Sequence, residues 1–594
     1  MGHARTYLGF DIIRRILETH FGYNVTLVMN ITDLDDKIIQ RANERNMPCK
    51  ELSEKYELEF HQDMEMLGIN PPDVLTRVTE YMDEIITYIN TIIEKGFAYA
   101  SNGSVYFNVG GFESSSGNDY CKLEPEQINN AKLLAEGEGK LTQEFAGDKR
   151  SPRDFALWKK SKEGEPQWSS PWGSGRPGWH IECSVMASTI FSQMEGADSA
   201  EDTSKNPDMC CMDIHSGGVD LKFPHHDNEL AQSEAHSGTS QWVNYFVHSG
   251  HLNIRGLKMS KSLKNFITIR QALEESSARQ IRMSFLLGKY NEEMNFSDDT
   301  LNSAKDVEKI FANFFDNVKI QLRDGKITDS QRWDSNARDL QLAVEKAKIN
   351  VDLALKNDFE TPTVIKVLQA LVKSTNVYLE NCKQQKPVSL VIRNAARYVT
   401  YVFKMLGLIP ETSGVDIGFP IGNAGSDGSE TLAPVLDALI QFRSSVREQA
   451  RGEKAYGVLK ECDAFRDDAL PPLGIRLEDK ADGTSVWKLA DATELMKERE
   501  QAEIAKAELE EKKKKRLEEQ AKKDALNALK PEDFMKQLTL EDSDEKKYSK
   551  FNDEGLPTHL HDGKEMNKNQ NKKASKEFQA QKKKHDKYLQ KQGS

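Results

Sequence analysis

The first 29 residues read MGHARTYLGFDIIRRILETHFGYNVTLVM (1–29), and the order of patterns within them decides the class of fold. Over residues 7–20, Leu8, Ile12, Ile13, Ile16 and Leu17 fall near helical spacing, which predicts an amphipathic helix. VTLVM (25–29) then reads as a short buried strand, continuous and β-branched. Helix followed by strand is the grammar of an α/β layer. Moving outward, helical spacing returns around 82–93, and FAYASNGSVYFN (97–108) reads as a hairpin turning at Asn102 and Gly103. Residues 111–150 are polar and rich in Gly and Glu, which marks the stretch from about 97 to 150 as an insertion whose later part lies at the surface. MEGADSAEDTSKNPD (194–208) has no apolar period and reads as a second, mobile insertion.

Beyond residue 297 the pattern becomes purely helical. Ile310, Phe311, Phe314, Phe315 and Val318 are assigned to one helix face, and further helices are expected near 335–358, 362–381 and 391–407. ETSGVDIGFPIGNAGSDGSE (411–430) has the composition of a linker. A helix at 433–451 and a strand-turn-strand at 473–489, turning at Asp482 and Gly483, suggest a small mixed module. From 491 onward Glu, Lys, Ala and Leu dominate, predicting a long charged helix and a disordered tail with too few apolar residues to fold alone. The expected division is therefore a parallel-sheet domain over 1–296, a helical bundle over 297–410, a linker over 411–430, a mixed module over 431–490 and the charged tail over 491–594.

A chain of 594 residues with 38% hydrophobic content needs and can fill several cores. No run of eighteen apolar residues occurs, and the first residues lack the pattern of a secretory signal, so neither a membrane span nor export is expected. The seven cysteines are scattered, with no CxxC pair, which fits a reducing cytoplasm better than a disulfide framework. The net charge of −13 is uneven: residues 501–594 hold 23 Lys and Arg against 19 Asp and Glu, so they carry about +4 and the rest about −17. Any contact with nucleic acid must come from local basic patches.

Three constellations carry chemistry. Cys183, His225 and Glu229 are residue types that bind Zn²⁺, and the last two, at i and i+4, share a helix face. By composition alone HHDNE (225–229) could equally be an ordinary polar helix face. Lys258 and Lys261 flank small residues in KMSKS (258–262), as suits a loop that closes on a triphosphate; a random basic loop is the plainer alternative. Gly2 and His3 stand at the start of the first helix, where a close-approaching backbone, the helix N-terminus and an imidazole favour phosphate.

Together these strings resemble the cysteinyl-tRNA synthetase family of class I aminoacyl-tRNA synthetases, built on a Rossmann-type sheet. KMSKS matches the class's second signature, and MGH the last three positions of its first, His-[Ile or Met]-Gly-His. NITDLDDKI (30–38), SPRDFALWK (151–159), GWHIECS (178–184), GVDLKFPHHDNE (218–229) and SGHLNI (249–254) resemble the family's own strings in the same order. The likeness runs from residue 1 to about 490, and the lysine-rich end is similar to that of eukaryotic cytosolic members.

The resemblance implies a cysteine-tRNA ligase: ATP, with Mg²⁺, activates L-cysteine to an adenylate, and the cysteinyl group passes to tRNA(Cys). It implies Zn²⁺ on Cys183, His225 and Glu229, reading the substrate thiol, with His180 and His215 orienting the site. Thr32 and Asp220 are expected at the amino acid's polar end, Trp179 as a wall of its pocket, and Gly2, His3, Lys258 and Lys261 at ATP. The bundle and the 431–490 module resemble the family's tRNA-contacting parts. Within the module, the residues themselves suggest a basic stripe of Arg443, Arg447 and Arg451 for tRNA, or else a solvated face. The charged tail could add RNA affinity or engage protein partners.

The family pattern also has a cysteine-bearing strand and a first signature histidine ahead of the position where this sequence begins. The expectation is therefore a sheet without its first strand and three zinc ligands of four, in a product started late. The competing expectation is a shorter, non-catalytic chain that binds tRNA or partners.

Overall fold

The structure, a computed structural model, describes residues 1–138, 147–198, 212–254, 257–258, 266–323, 332–382, 387–420, 428–479, 485–540 and 545–592. The chain divides into two units, Met1–Pro420 and Ile421–Ser594.

The first unit opens with α1 (Gly2–Thr19), β1 (Val28–Ile31), α2 (Asp36–Arg45), α3 (Cys49–Met66), β2 (Val74–Arg77) and α4 (Met82–Glu94). The helix and strand predicted at the start are both present, the strand three residues later than its apolar run. Leu8, Ile12, Ile13 and Ile16 are buried on α1, as its spacing requires. Next come β3 (Ala98–Ser101), β4 (Ser104–Phe107), α5 (Val109–Glu113), α6 (Ala131–Glu138), β5 (Phe155–Lys160), β6 (Gly175–Pro177), α7 (Trp179–Asp198), β7 (Met212–Gly218), α8 (Asp227–Ser237) and β8 (Val243–Ser249). Parallel ladders join β1 with β2, in register Val28 to Val74, and β7 with β8, in register Met212 to Val243; a third joins Leu252–Ile254 with Met294–Phe296. Strands β3-β4-β5-β6 form an antiparallel sheet that contains the predicted hairpin.

The stretch at 111–150 is less superficial than its composition suggests. Phe112, Tyr120 and Cys121 are buried in the same cluster as Phe107 and Phe155, because a few apolar residues spaced along a polar segment are enough to pin it to a core. Residues 139–146 and 199–211 lie outside the described residues, and with them most of the second insertion.

The unit continues with β9 (Leu252–Ile254), β10 (Leu257–Lys258), α9 (Ile269–Glu275), α10 (Ala278–Leu286) and β11 (Met294–Phe296). Thr268 with Gln271, and Ser277 with Gln280, close reciprocal caps that start α9 and α10. Helices α11 (Asp298–Arg323), α12 (Ser335–Lys356), α13 (Thr361–Asn381) and α14 (Ser389–Met405) form the bundle. Phe311, Phe314, Phe315 and Val318 are buried, but Ile310 is 44% exposed: it precedes the buried row by one position, about 100° round the helix. The first half of the expected linker belongs to this core. Ile417 is buried, Phe419 packs edge-on against Phe315, and Gly418 has φ +80° where a Cβ would lie 2.8 Å from Phe315 Cβ.

In the second unit α15 (Gly428–Gly452) and α16 (Tyr456–Ala464) pack on an antiparallel pair, β12 (Ile475–Asp479) and β13 (Ser485–Leu489). Their core is Leu436, Ile440, Leu470, Ile475, Leu477 and Trp487; the turn at Asp482 and Gly483 lies outside the described residues. Beyond it run α17 (Ala492–Ala528), α18 (Pro531–Gln537), β14 (Tyr548–Phe551), β15 (Pro557–Leu560) and α19 (Lys568–Gln592). Where composition predicts a disordered end, the described residues close a small cluster of Met535, Tyr548, Met566 and Ala574. Gln581 further holds the end of α17, its Nε2 donating to the Leu526 and Leu529 carbonyls.

Candidate active site and metal centre

The β1-β2 and β7-β8 ladders place Thr32 and Asp220 just beyond strand carboxyl ends, where open α/β sheets bind ligands. Thr32 follows β1 directly, and half-buried. Asp220 sits exposed on the turn Val219–Leu221 after β7, while His215 lies on β7 itself. Trp179, His180 and Cys183 occupy the first turns of α7. Gly178, just before them, lets that helix start against β5: a Cβ there would lie 2.0 Å from the Ala156 carbonyl oxygen. The segment Lys222–His226, kinked where Phe223 is extended (φ −132°, ψ 131°), then delivers His225 and runs into α8, whose first turn carries Glu229.

Cys183, His225 and Glu229 each direct a ligand atom to one point, the three lying within 4.8 Å of one another. Glu229 is fully buried; its Oε2 lies 2.5 Å from His215 Nε2 and its Oε1 2.9 Å from His225 Nε2. Oε1 nevertheless accepts no hydrogen bond of sound geometry among the described residues. A buried carboxylate oxygen and an imidazole nitrogen facing each other, with a thiol alongside, fit a shared cation, and the S, N, O donor set suits Zn²⁺. Around these three, Trp179 stacks on His225, and His180 Nδ1 meets His225 Nδ1 at 3.0 Å. His180 and His215 therefore sit where partners of the ligands should. Glu229 also belongs to a second triplet with His215 and His226.

The electrostatics suit such a centre. Burial raises the Cys183 thiol well above its usual range, with Glu229 and Glu182 adding to the effect, so the thiolate needs a cation to form. Burial acts the same way on Glu229, yet His225 and His215 overcome it and hold the carboxyl well below the usual carboxylate range. His226 is held well below its ordinary value by burial, then by His215, and His248 is lowered to about 4 by burial, Lys222 and His215. The site is thus rich in lone pairs at neutral pH.

Three participants escaped the sequence reading. Asn30 Nδ2 donates to Cys183 Sγ at 3.4 Å, and His226 Nδ1 lies 2.9 Å from His248 Nε2. His226 was visible as the second histidine of HHDNE and His248 as a neighbour of SGHLNI. Asn30 was visible only as the first residue of NITDLDDKI; that it faces Cys183 on α7 is set by the fold.

Gly2 and His3 open α1, with His3 exposed, and Lys258 ends β10. Lys261 lies outside the described residues. The basic stripe requires correction. Arg443 is buried, its Nη1 and Nη2 donating to Asp479 at 2.8 and 3.1 Å, and Arg447 is held by Asp479 and Asp463. Arg443 and Arg447 lie on the side of α15 that faces the β-pair and its acidic residue, so they serve the module's interior. Arg451, one turn further, is exposed.

Comparison with known proteins gives the family. Residues 1–306 match the family model described as tRNA synthetases class I (C) catalytic domain. "Cysteine--tRNA ligase, cytoplasmic" of Dictyostelium discoideum is 50% identical, over 99% of this chain and 86% of that protein. The human protein of the same name is 40% identical, over 99% of this chain and 90% of its own length. Among solved structures, a Mycobacterium tuberculosis methionyl-tRNA synthetase in complex with methionyl-adenylate is similar over 68% of this chain and 88% of that one, at 14% identity and a TM-score of 0.49. From its catalytic-domain match and its near full-length relatives, the chain belongs to the class I cysteine-tRNA ligase family.

Proposed function

We propose that this chain is a cytoplasmic cysteine-tRNA ligase, which joins L-cysteine to tRNA(Cys) at the expense of ATP. The observation that carries the reading is the convergence of Cys183, His225 and Glu229, in a chain whose relatives bear that name. In the first step a cysteine carboxylate oxygen attacks the α-phosphorus of ATP, and the bond to pyrophosphate breaks. In the second, a hydroxyl of the tRNA's terminal ribose attacks the adenylate carbonyl and AMP leaves.

The chain's own residues have separable tasks. Trp179 walls the pocket, while Thr32 and Asp220, at the ends of β1 and β7, take the substrate's ammonium and carboxylate end. Gly2 and His3 receive the triphosphate at the start of α1, and Lys258 and Lys261 neutralise the charge that develops as pyrophosphate departs. Cys183, His225 and Glu229 would hold Zn²⁺, which when bound offers a thiol a bond that a hydroxyl cannot equal. Shape alone separates close analogues by about 1–3 kcal/mol, so selection by a bond removes the need for editing. The bundle, Arg451, the exposed run Lys512–Arg516 and the exposed lysines at 582–584 are the surfaces offered to tRNA.

The test is cysteine-dependent exchange of pyrophosphate into ATP by the chain as it stands, with serine as control and bound zinc assayed in parallel. Exchange with cysteine alone and one zinc per chain is expected. No exchange, together with retained tRNA binding, would establish the non-catalytic alternative.

A further inference from the structure

Two residues beyond His3 on α1, Arg5 is 3% exposed and has no carboxylate partner among the described residues. A buried guanidinium is costly unless its donors are used. Arg5 uses one terminal nitrogen on main chain: Nη2 donates to the carbonyls of Lys289, at 2.7 Å, and Glu292, at 2.8 Å, and reaches Tyr290 at 3.5 Å, while Nε finds no acceptor among the described residues. Nη1 points at Met294 Sδ, 3.2 Å away. These carbonyls follow the C-terminal end of α10, the negative end of its dipole. Burial lowers Arg5 to about 10, which still leaves it charged at neutral pH.

The loop that Arg5 grips is wired to the strand on which KMSKS begins. Gly250 N donates to the Tyr290 carbonyl and Met294 N to the His251 carbonyl, at 2.9 Å each. Strand β11 then pairs with β9, and β9 with β10, placing Asn253 opposite Lys258. Gly250 leaves no slack, since a Cβ there would lie 2.1 Å from the Glu292 carbonyl oxygen. Next to this junction, Thr6 Oγ1 on α1 lies 2.8 Å from Ser249 Oγ, at the end of β8 and one residue before Gly250.

We propose that Arg5 is a positioning residue which locks the start of α1 to the β10-β9-β11 sheet, so that His3 and Lys258 meet ATP in a fixed register. The inference deepens the ligase reading and rests on it. The carbonyl contacts all come from Nη2 while Nη1 reaches Met294 Sδ, so a lysine ammonium, a single point donor, could take part of this set but not both ends of it.

The experiment compares Arg5→Lys and Arg5→Met with the unsubstituted chain by amide hydrogen exchange without ligands, and by the ATP and cysteine dependence of pyrophosphate exchange. Losing charge-assisted hydrogen bonds should speed amide exchange by about tenfold or more at 250–254 and 289–296, with the bundle unchanged. The KM for ATP should rise by about tenfold with that for cysteine little altered, and Arg5→Lys should retain more than Arg5→Met. Unchanged or uniformly faster amide exchange would overturn the proposal, as would ATP and cysteine constants that move together. Absence of pyrophosphate exchange in the unsubstituted chain would instead sink the ligase reading, while the amide pattern would still decide whether Arg5 forms the lock.

Discussion

Trp179 lies nearly flat on the His225 imidazole, ring centroids 4.5 Å apart and planes 18° from parallel. The indole therefore fixes the plane in which His225 Nε2 faces Glu229. Trp179→Ala is expected to weaken zinc binding about 10- to 100-fold, the usual range for removing a partner that orients a ligand. Competition against a chromogenic chelator measures it; unchanged affinity would show that the fold alone orients the ring.

Asp479 is the hub of the second unit. Hydrogen bonding from Arg443, opposed by burial and reinforced by Ser485 and Arg466, holds its carboxyl well below the usual carboxylate range. A depressed folded value lends stability that is complete above the unfolded carboxylate value, about 3.9, and is lost as pH falls through the folded one. Asp479→Asn strands buried Arg443 and should cost about 3 kcal/mol. Urea unfolding of the substituted chain, followed by Trp487 fluorescence, should show that loss at pH 7 and a smaller one at pH 2.

Gly178→Ala tests how tightly α7 is seated. With the Ala156 carbonyl oxygen 2.0 Å from the new methyl and the Gly178 amide already bonded to Leu157, the backbone must yield. A loss of about 3 kcal/mol is expected, at the upper end of overpacking costs. Differential scanning calorimetry would reveal it, and an unaltered melting profile would contradict the close approach.

Ending the chain at residue 510 keeps the pairs Arg476–Glu498 and Arg499–Asp468 but removes the basic run Lys512–Arg516. Adenylate formation should persist while tRNA binding weakens and loses part of its salt dependence. Filter binding at several salt concentrations decides; identical curves would assign the tail another task.

The strings that read well from sequence were those in which chemistry and periodicity coincide. In HHDNE the i, i+4 spacing put two donors on one side, and His225 and Glu229 do face each other; the phenylalanines of α11 announced a core because they recur on one face. What failed were inferences about direction from spacing. The i, i+4 run of Arg443 and Arg447 says that the two share a face, but only the position of Asp479, 36 residues on from Arg443, says that the face looks inward. Likewise Tyr120 and Cys121 drew a polar segment into a core through partners distant in sequence, and the partners of Arg5 in MGHAR were not legible because they are main-chain atoms nearly 290 positions away.

The inward turn of Arg443 changes what a salt titration of this protein reports. Cations already neutralised inside the module release no counterions when RNA arrives, so the slope of affinity against salt becomes a census of outward-facing charge. Each surface arginine or lysine in contact with phosphate should reduce that slope by about one when removed, Arg451 among them. Arg443 should be missing from the count, however strongly its loss damages the protein.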